Sequence, residues 1–302
     1  MRCQSETVRR PFGALLFATA LVAIAMACGE QTSSLLPAAS PTEPEPTLTA
    51  FVFLADANGS VLGRLTEGRW PSWSPDGRRI AFHRDARVRV IGVDGAGETD
   101  LAEGQWATWS PDGARIAFSA PEGLSVMNAD GSSVRRLMSP ALIALHDWGV
   151  GKPSWSPDGA LIVFDEPEGY DFGVPARIFA MSADGASQYI LSGESRYETE
   201  PSWSPDGSRV VFWSDEFGVG IVERGGGHTV QLYKDQKAVA FSARPSWSPD
   251  GRVILFSRSS PNSSIMVISP DGENPRVLIE QGIEAAWSPD GKRIAFVKFV
   301  PR

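Results

Sequence analysis

Histidine, the side chain best suited to acid–base chemistry at neutral pH, is rare and widely spaced in this chain of 302 residues. The three histidines, His83, His146 and His228, lack the short spacings that are typical of metal ligands. No Gly-x-Ser-x-Gly sequence is present to place a nucleophilic serine on a sharp turn. We interpret His83 and His228 as solvated surface residues. The sequence therefore predicts no catalytic residue, no metal site and no cofactor.

A serine and an aspartate do recur together, in the sequence Trp-Ser-Pro-Asp-Gly. The six copies are separated by 36, 46, 48, 44 and 40 residues. A repeat of roughly 40–45 residues is typical of the four-stranded blades of β-propellers. The copies begin at Trp73, Trp109, Trp155, Trp203, Trp247 and Trp287.

The repeated motif has the chemistry of a hairpin turn, so we interpret it as scaffold and not as six catalytic sites. Proline presets φ at the second position of a type I turn, Asp suits the third, and Gly takes the left-handed conformation that returns the chain. An aliphatic residue and a Phe, such as Ile80 and Phe82, follow each Trp and predict a strand buried on both faces. The predicted turn residues are Asp76 and Gly77, Asp112 and Gly113, Asp158 and Gly159, Asp206 and Gly207, Asp250 and Gly251, and Asp290 and Gly291.

These six repeats resemble the WD40-like Pro-Asp repeats of TolB-type six-bladed β-propellers, over about residues 50–302. The resemblance implies an all-β fold of four-stranded antiparallel blades. A second set of Asn-Gly, Asp-Gly and Gly-Gly turns, such as Asn58-Gly59 and Asp94-Gly95, predicts an outer hairpin in each blade. The chain begins with an outer hairpin (51–66) and ends with an inner one (284–298). We therefore predict that the two ends share the sixth blade and close the ring.

The predicted strand order also assigns each loop to one of the two faces of the propeller. Both tight turns of every blade lie on one face, and the longer connections, near 138–152, 165–176, 192–200 and 233–244, lie on the other. Binding residues gather on variable loops held by rigid scaffolds, so this second face is the predicted working face.

Two groups of residues on that face are candidates for ligand or partner binding. The first stands three residues before each motif Trp, at the predicted mouth of the central channel, and is either a self-neutralising salt-bridge ring or a site for a flat, polar ligand. The second lies in two insertions around the third blade and is either a recognition surface or a set of loops that pack on each other. The first group is Trp70, Trp106, Lys152, Glu200, Arg244 and Glu284, and the second is His146, Asp147, Trp148, Tyr170, Asp171 and Phe172.

The amino terminus resembles a bacterial lipoprotein signal. Arg2, Arg9 and Arg10 precede an apolar run, and Ala25-Met26-Ala27 leads to Cys28, which the resemblance makes the lipidated first residue of the mature protein. Ordinary secretion is the alternative. We predict a signal peptide at 1–27, a disordered Pro/Ser/Thr/Glu tether at 28–49 and a propeller at 50–302. The protein is expected to be exported and anchored by lipid to the outer surface of the cytoplasmic membrane or elsewhere in the envelope.

Charge and cysteine content narrow the possible partners. The net charge is −8, and it becomes −10 without the first 27 residues, which contain three Arg and one Glu. An acidic chain with no basic cluster is not expected to bind nucleic acid. The only cysteines, Cys3 and Cys28, precede the propeller. We expect a monomer that contacts the membrane through its anchor only.

The sequence favours a non-catalytic protein that binds a protein or envelope ligand. One alternative is a subunit that works beside a separately encoded transporter or protease. Another is an enzyme of the lyase or glycosidase type at the channel mouth, because an acid pair such as Glu200 and Glu284 can cleave glycosides at a suitable separation.

Replacing Cys28 with Ala is expected to release the protein from the membrane fraction, because the lipid acceptor is lost. Fractionation and mass measurement of the mature terminus check this result. Cys3→Ala, which removes the other cysteine, is the matched control and should leave the anchor intact. A wild-type terminus without lipid contradicts the prediction.

Overall fold

Six four-stranded antiparallel sheets contain all 24 strands of the residues that the structure describes. The computed structural model describes residues 47–138, 151–165, 176–193, 197–216, 218–234, 244–258 and 263–301. The predicted six-bladed propeller is confirmed. Residues 1–46, which hold the predicted signal peptide and Cys28, lie outside the described residues. No helix among the described residues is long and apolar enough to cross a membrane.

Each blade is one sheet in which the strands succeed one another from the channel outwards. Blade 1 is β3 (Arg69–Trp73), β4 (Arg79–Arg84), β5 (Arg87–Gly92) and β6 (Thr99–Glu103); blade 2 is β7 (Gln105–Trp109), β8 (Arg115–Ala120), β9 (Gly123–Asn128) and β10 (Arg135–Arg136); blade 3 is β11 (Ser154–Trp155), β12 (Leu161–Asp165), β13 (Ile178–Ser182) and β14 (Gln188–Ser192). Blade 4 is β15 (Glu198–Trp203), β16 (Arg209–Ser214), β17 (Gly218–Glu223) and β18 (Val230–Tyr233); blade 5 is β19 (Ser246–Trp247), β20 (Ile254–Arg258), β21 (Ser264–Ile268) and β22 (Arg276–Glu280). The closing blade consists, from the channel outwards, of β23 (Ile283–Trp287), β24 (Arg293–Pro301), β1 (Leu48–Asp56) and β2 (Val61–Glu67).

The core lies between the blades, as the apolar second strands predict. In β4, Ile80, Ala81 and Phe82 all have no exposed surface, so both faces of this strand are covered. The residues nine positions after the motif Trp are at most 2 % exposed: Phe82, Phe118, Phe164, Phe212, Phe256 and Phe296.

The motif serine completes each tight turn, a role that the sequence analysis did not assign. In blade 1 the amide of Gly77 donates to the Ser74 carbonyl oxygen at 2.9 Å, and Gly77 has φ 67°, as the predicted turn requires. The Ser74 hydroxyl donates to Asp76 Oδ1 at 2.6 Å and accepts from the Arg79 amide at 2.9 Å. Six buried serines occupy this position, so the Ser-Pro-Asp-Gly sequence is a structural unit.

Cation–π contacts join neighbouring blades at the motif tryptophans. The arginine six residues after one Trp lies over the Trp of the next blade. These pairs are Arg79 over Trp109 at 4.6 Å, Arg115 over Trp155 at 4.7 Å, Arg209 over Trp247 at 5.1 Å and Arg293 over Trp73 at 4.9 Å. Trp203 instead receives Arg224 at 5.5 Å, because blade 3 has Leu161 at the corresponding position.

The two ends of the described chain pair along nine residues and close the ring. β1 runs antiparallel to β24 from the Leu48–Pro301 pair to the Asp56–Arg293 pair. The predicted sharing of one blade by both ends is therefore confirmed. β1 begins two residues before the predicted start of the propeller, because Leu48 and Thr49 have partners in β24.

The strand directions place every long connection on one face. Because successive strands are antiparallel, the turns after first and third strands lie on one face, here called the tight-turn face. The connections that follow Arg136, Asp165, Ser192 and Tyr233 start from the opposite face, here called the long-loop face.

Deleting residues 284–302 is expected to unfold the whole propeller, although the deletion removes only one hairpin. The deletion takes the partner strand from β1 and uncovers apolar surface of both neighbouring blades, whereas an open solenoid would only fray. Denaturant melts measure the effect. Deleting only 299–302, which removes pairing with residues 48–50, is the control. A wild-type midpoint for the large deletion contradicts the prediction.

Candidate functional site

The predicted ring at the channel mouth is held by an unusual backbone. Trp70, Trp106, Glu200 and Glu284 have φ between 53° and 62°, and Arg244 has φ 39°. In β3, β7, β15 and β23 the pairing register shifts at this position, so the residue forms a bulge. Bulges redirect side chains, and left-handed non-glycine residues cost about 1–3 kcal/mol each. The fold therefore holds strained residues in a ring at one end of the channel.

Glu284 is the most enclosed acid of the ring, at 2 % exposure. Arg69 forms an ion pair with it through two nitrogens, with Nε at 3.0 Å from Oε1. The Trp70 amide donates to its Oε2 at 2.9 Å. Arg69 was missed by the sequence analysis, although it directly precedes a predicted ring residue.

Glu200 is paired in the same manner two blades away in the ring. Its side chain is 3 % exposed and contacts Lys152 Nζ, and it accepts the amide of Arg244. Arg244 also donates from Nη2 to the Pro71 carbonyl oxygen at 2.6 Å. Within the predicted ring, Lys152 and Glu200 therefore pair with each other, whereas Glu284 pairs with Arg69, which the prediction did not include.

Trp70 lies at the centre of the cations. Lys152 Nζ is 3.6 Å from its ring centroid, and the guanidinium carbon of Arg244 is 5.4 Å away. Trp106 packs edge-on against it at 6.5 Å. Because Trp70 is only 8 % exposed whereas Trp106 is half-buried, Trp106 offers a ligand more surface.

His83 corrects the sequence analysis, which treated it as a solvated surface residue. Its ring lies 6.5 Å from Trp70, and its Nδ1 atom is buried without a hydrogen-bond partner among the described residues. Burial, followed by the charges of Arg69, Arg244 and Lys152, lowers the pKa of His83 to about 3. The imidazole is therefore neutral at physiological pH. His228 is exposed, as expected.

A buried carboxyl group behind the ring was also missed. Asp165, at the end of β12, is 4 % exposed and accepts the Lys152 amide at 2.8 Å. Burial raises the pKa of Asp165 to about 6, and burial lowers the pKa of Lys152. The sequence placed Asp165 at the start of a loop and gave no sign that the side chain turns inwards.

The channel inside the ring contains a cavity of about 230 Å³. Five predicted ring residues line it, namely Trp70, Trp106, Lys152, Glu200 and Arg244. The predicted second group, His146, Asp147, Trp148, Tyr170, Asp171 and Phe172, lies outside the described residues. Among the residues that the structure describes, no group of three or more His, Cys, Asp or Glu side chains could hold a metal ion.

The fold and site define a six-bladed propeller with an ion-paired channel mouth. The family model for the TolB beta propeller domain matches residues 70–285, so this chain belongs to the TolB β-propeller family. A comparison with curated protein sequences finds no match.

Solved structures agree in fold. The putative TolB from Agrobacterium tumefaciens is 20 % identical, with a TM-score of 0.70 over 85 % of this chain and 100 % of the other. TolB from Acinetobacter baumannii is 15 % identical, with a TM-score of 0.59 over 86 % and 68 % of the two chains. Oligogalacturonate lyase from Vibrio parahaemolyticus is 14 % identical, with a TM-score of 0.56 over 81 % and 76 %. At these identities the likeness shows the fold alone.

Replacing His83 with Phe is expected to reduce the loss of stability in acid. The folded pKa of about 3 lies below the ordinary value of 6.5, so only the unfolded state binds the proton as pH falls below about 6.5. This difference costs the wild type about 2 kcal/mol at pH 5 relative to neutral pH. The phenyl ring keeps the contact with Trp70 and does not titrate.

Denaturant melts of both proteins at the two pH values measure this difference. Asp165 acts in the opposite direction, because its raised folded pKa makes the folded state bind the proton first. That contribution is shared by both proteins and cancels in the comparison. Equal pH dependence in the two proteins would contradict the account of His83.

Proposed function

We propose that this protein is a non-catalytic, exported propeller, anchored by lipid, that binds a protein or envelope ligand through its long-loop face. The observation that carries the proposal is the channel mouth, where strained backbone and ion pairs fix six neighbouring side chains. A site fixed before binding loses little conformational entropy when a partner arrives. The long connections start from strand ends on the same face.

The ion pairs also favour binding over glycoside chemistry. Glu200 and Glu284 are each in contact with a cation and almost fully buried. Each carboxylate is thus already engaged by a cation of the protein, whereas a glycosidase uses both of its carboxyl groups on the substrate and its attacking water. The structural likeness to oligogalacturonate lyase is one of fold and adds no site residues.

Export and anchoring rest on the amino-terminal sequence, with its arginines, apolar run and Cys28. Within this proposal the tether holds the propeller off the membrane, and the protein works as a monomer. Affinity purification of the tagged full chain from native envelope, after mild cross-linking, identifies the partner.

Replacing Trp106 with Ala is expected to weaken capture of that partner about tenfold or more, because desolvated aromatic side chains carry much of the binding energy at interfaces. Trp148→Ala, in the predicted loop group, is expected to act in the same direction. Quantitative binding assays with the purified partner measure both variants.

The control is Asp94→Asn on the tight-turn face, where the carboxylate caps its own turn by accepting the Ala96 amide at 3.0 Å. This variant should bind as the wild type does, and melting curves should verify that all variants are folded. Loss of binding in Asp94→Asn, with both Trp variants unaffected, would place the interface on the wrong face.

A further inference from the structure

The wall of the central channel carries a ring of hydroxyl groups. The residue before each motif Trp faces the cavity and is half-buried. Among the described residues, none of these hydroxyls has a hydrogen-bond partner. The hydroxyl-bearing residues are Ser72, Thr108, Ser154, Ser202 and Ser246, and Ala286 takes the sixth place.

These hydroxyls are available to form hydrogen bonds with a molecule in the channel. The buried motif serines, two residues further along, are used by the tight turns, as Ser74 shows. The channel hydroxyls serve no turn and no ion pair. Polar groups in a recess require partners, which solvent or a ligand supplies.

The cations at the channel mouth are more exposed than the acids with which they pair. The side chain of Arg69 is 39 % exposed, whereas its partner Glu284 is 2 % exposed. Lys152 is 17 % exposed, whereas its partner Glu200 is 3 % exposed. Both acids are therefore almost fully covered, although Glu200 lines the cavity. A molecule that enters meets N–H and O–H donors, although the ring is almost neutral as a whole.

We propose that this channel binds a carboxylate group, which Lys152 and Arg244 attract and to which the hydroxyl ring donates hydrogen bonds. The inference deepens the proposed function and rests on it for the source of the carboxylate, which is an acidic side chain of the partner. The same chemistry would hold a free small carboxylate.

The size and charge of the channel select this class of ligand. The cavity of about 230 Å³ lies below the roughly 300–1,000 Å³ of pockets for drug-sized ligands, so it suits one side chain or a small ion. Among the charged residues that line the cavity, Lys152 and Arg244 are cations and Glu200 is an acid, and the carboxyl group of Asp165 lies behind Lys152. A cavity with so little excess positive charge suits a monoanion better than a dianionic phosphate.

A pair of isosteric probes tests the proposal on the full chain. N-acetylglutamate α-amide carries a side-chain carboxylate, and N-acetylglutamine α-amide replaces only that group with a neutral amide. We expect the acid to bind with a Kd about tenfold lower or more, a difference of about 1.4 kcal/mol, and its affinity to fall with salt. Calorimetry measures Kd, and the indole resonances of the tryptophans report binding near Trp70 and Trp106.

The triple variant Ser154→Ala, Ser202→Ala, Ser246→Ala tests the location. We expect it to melt as the wild type does and to lose about tenfold or more in affinity for the acid. Ser208→Ala is the control, since this hydroxyl donates to Asp206 on the tight-turn face. Equal binding of acid and amide, binding of neither, or full affinity in the triple variant would each overturn the proposal. The comparison of the acid and amide probes on the wild-type protein tests the proposal even when the variant does not fold.

Further results identify the source of the carboxylate and test this inference separately from the proposed function. Glutarate that binds better than the N-acetylglutamate probe assigns the site to a free carboxylate, and the reverse assigns it to a partner's side chain. A protein that captures its partner and binds no carboxylate overturns this inference alone. A protein that binds the probe and captures no partner overturns the proposed function alone.

Discussion

The pairing of β1 with β24 is the interaction on which the rest of the molecule depends. Nine residue pairs join strands that lie at opposite ends of the described chain. Each blade buries its apolar faces against two neighbours, so no blade is complete until the ring is closed. The entropy of closing so long a loop grows only slowly with length, and burial of six layers of Phe and aliphatic side chains offsets it. The narrow channel with its converging inner strands exists only because of this closure.

Convergence of six strand ends creates an electrostatic problem at the channel mouth. Charged side chains from separate blades are brought close together and partly removed from water. The protein resolves this by pairing across blades: Arg69 with Glu284 and Lys152 with Glu200. Ion pairs of this kind add little net stability, but the loss of one partner leaves the other buried and unpaired. They fix the relative position of four blades more than they strengthen the fold.

The fold was predictable from the sequence because every blade repeats the same short turn and strand motifs. The Asp and Gly of each turn, and Ile80 and Phe82 with their equivalents, require only neighbours in sequence for their interpretation. The position of the ring was predictable for the same reason. The left-handed backbone at Trp70 was not, since no glycine marks it, and neither was the partnership of Arg69 with a residue 215 positions away. His83 and Asp165 were misjudged or missed because their burial depends on how separate blades meet. The predicted loop residues, such as Trp148, lie outside the described residues, and their role stays a prediction.

The contacts between Arg and Trp have a direction around the ring. At four of the six junctions a blade supplies its arginine to the Trp of the next blade, whereas blades 3 and 5 have Leu161 and Val253 at this position. Half of each contact therefore belongs to the repeat and half to whichever repeat follows it. A duplicated blade brings both halves with it and fits between its parent and the next neighbour without new complementary changes. Such an interface allows a gene to gain or lose a repeat that carries both residues while the junctions on either side of it stay matched. Propellers with different numbers of blades can arise in this way from one ancestral repeat.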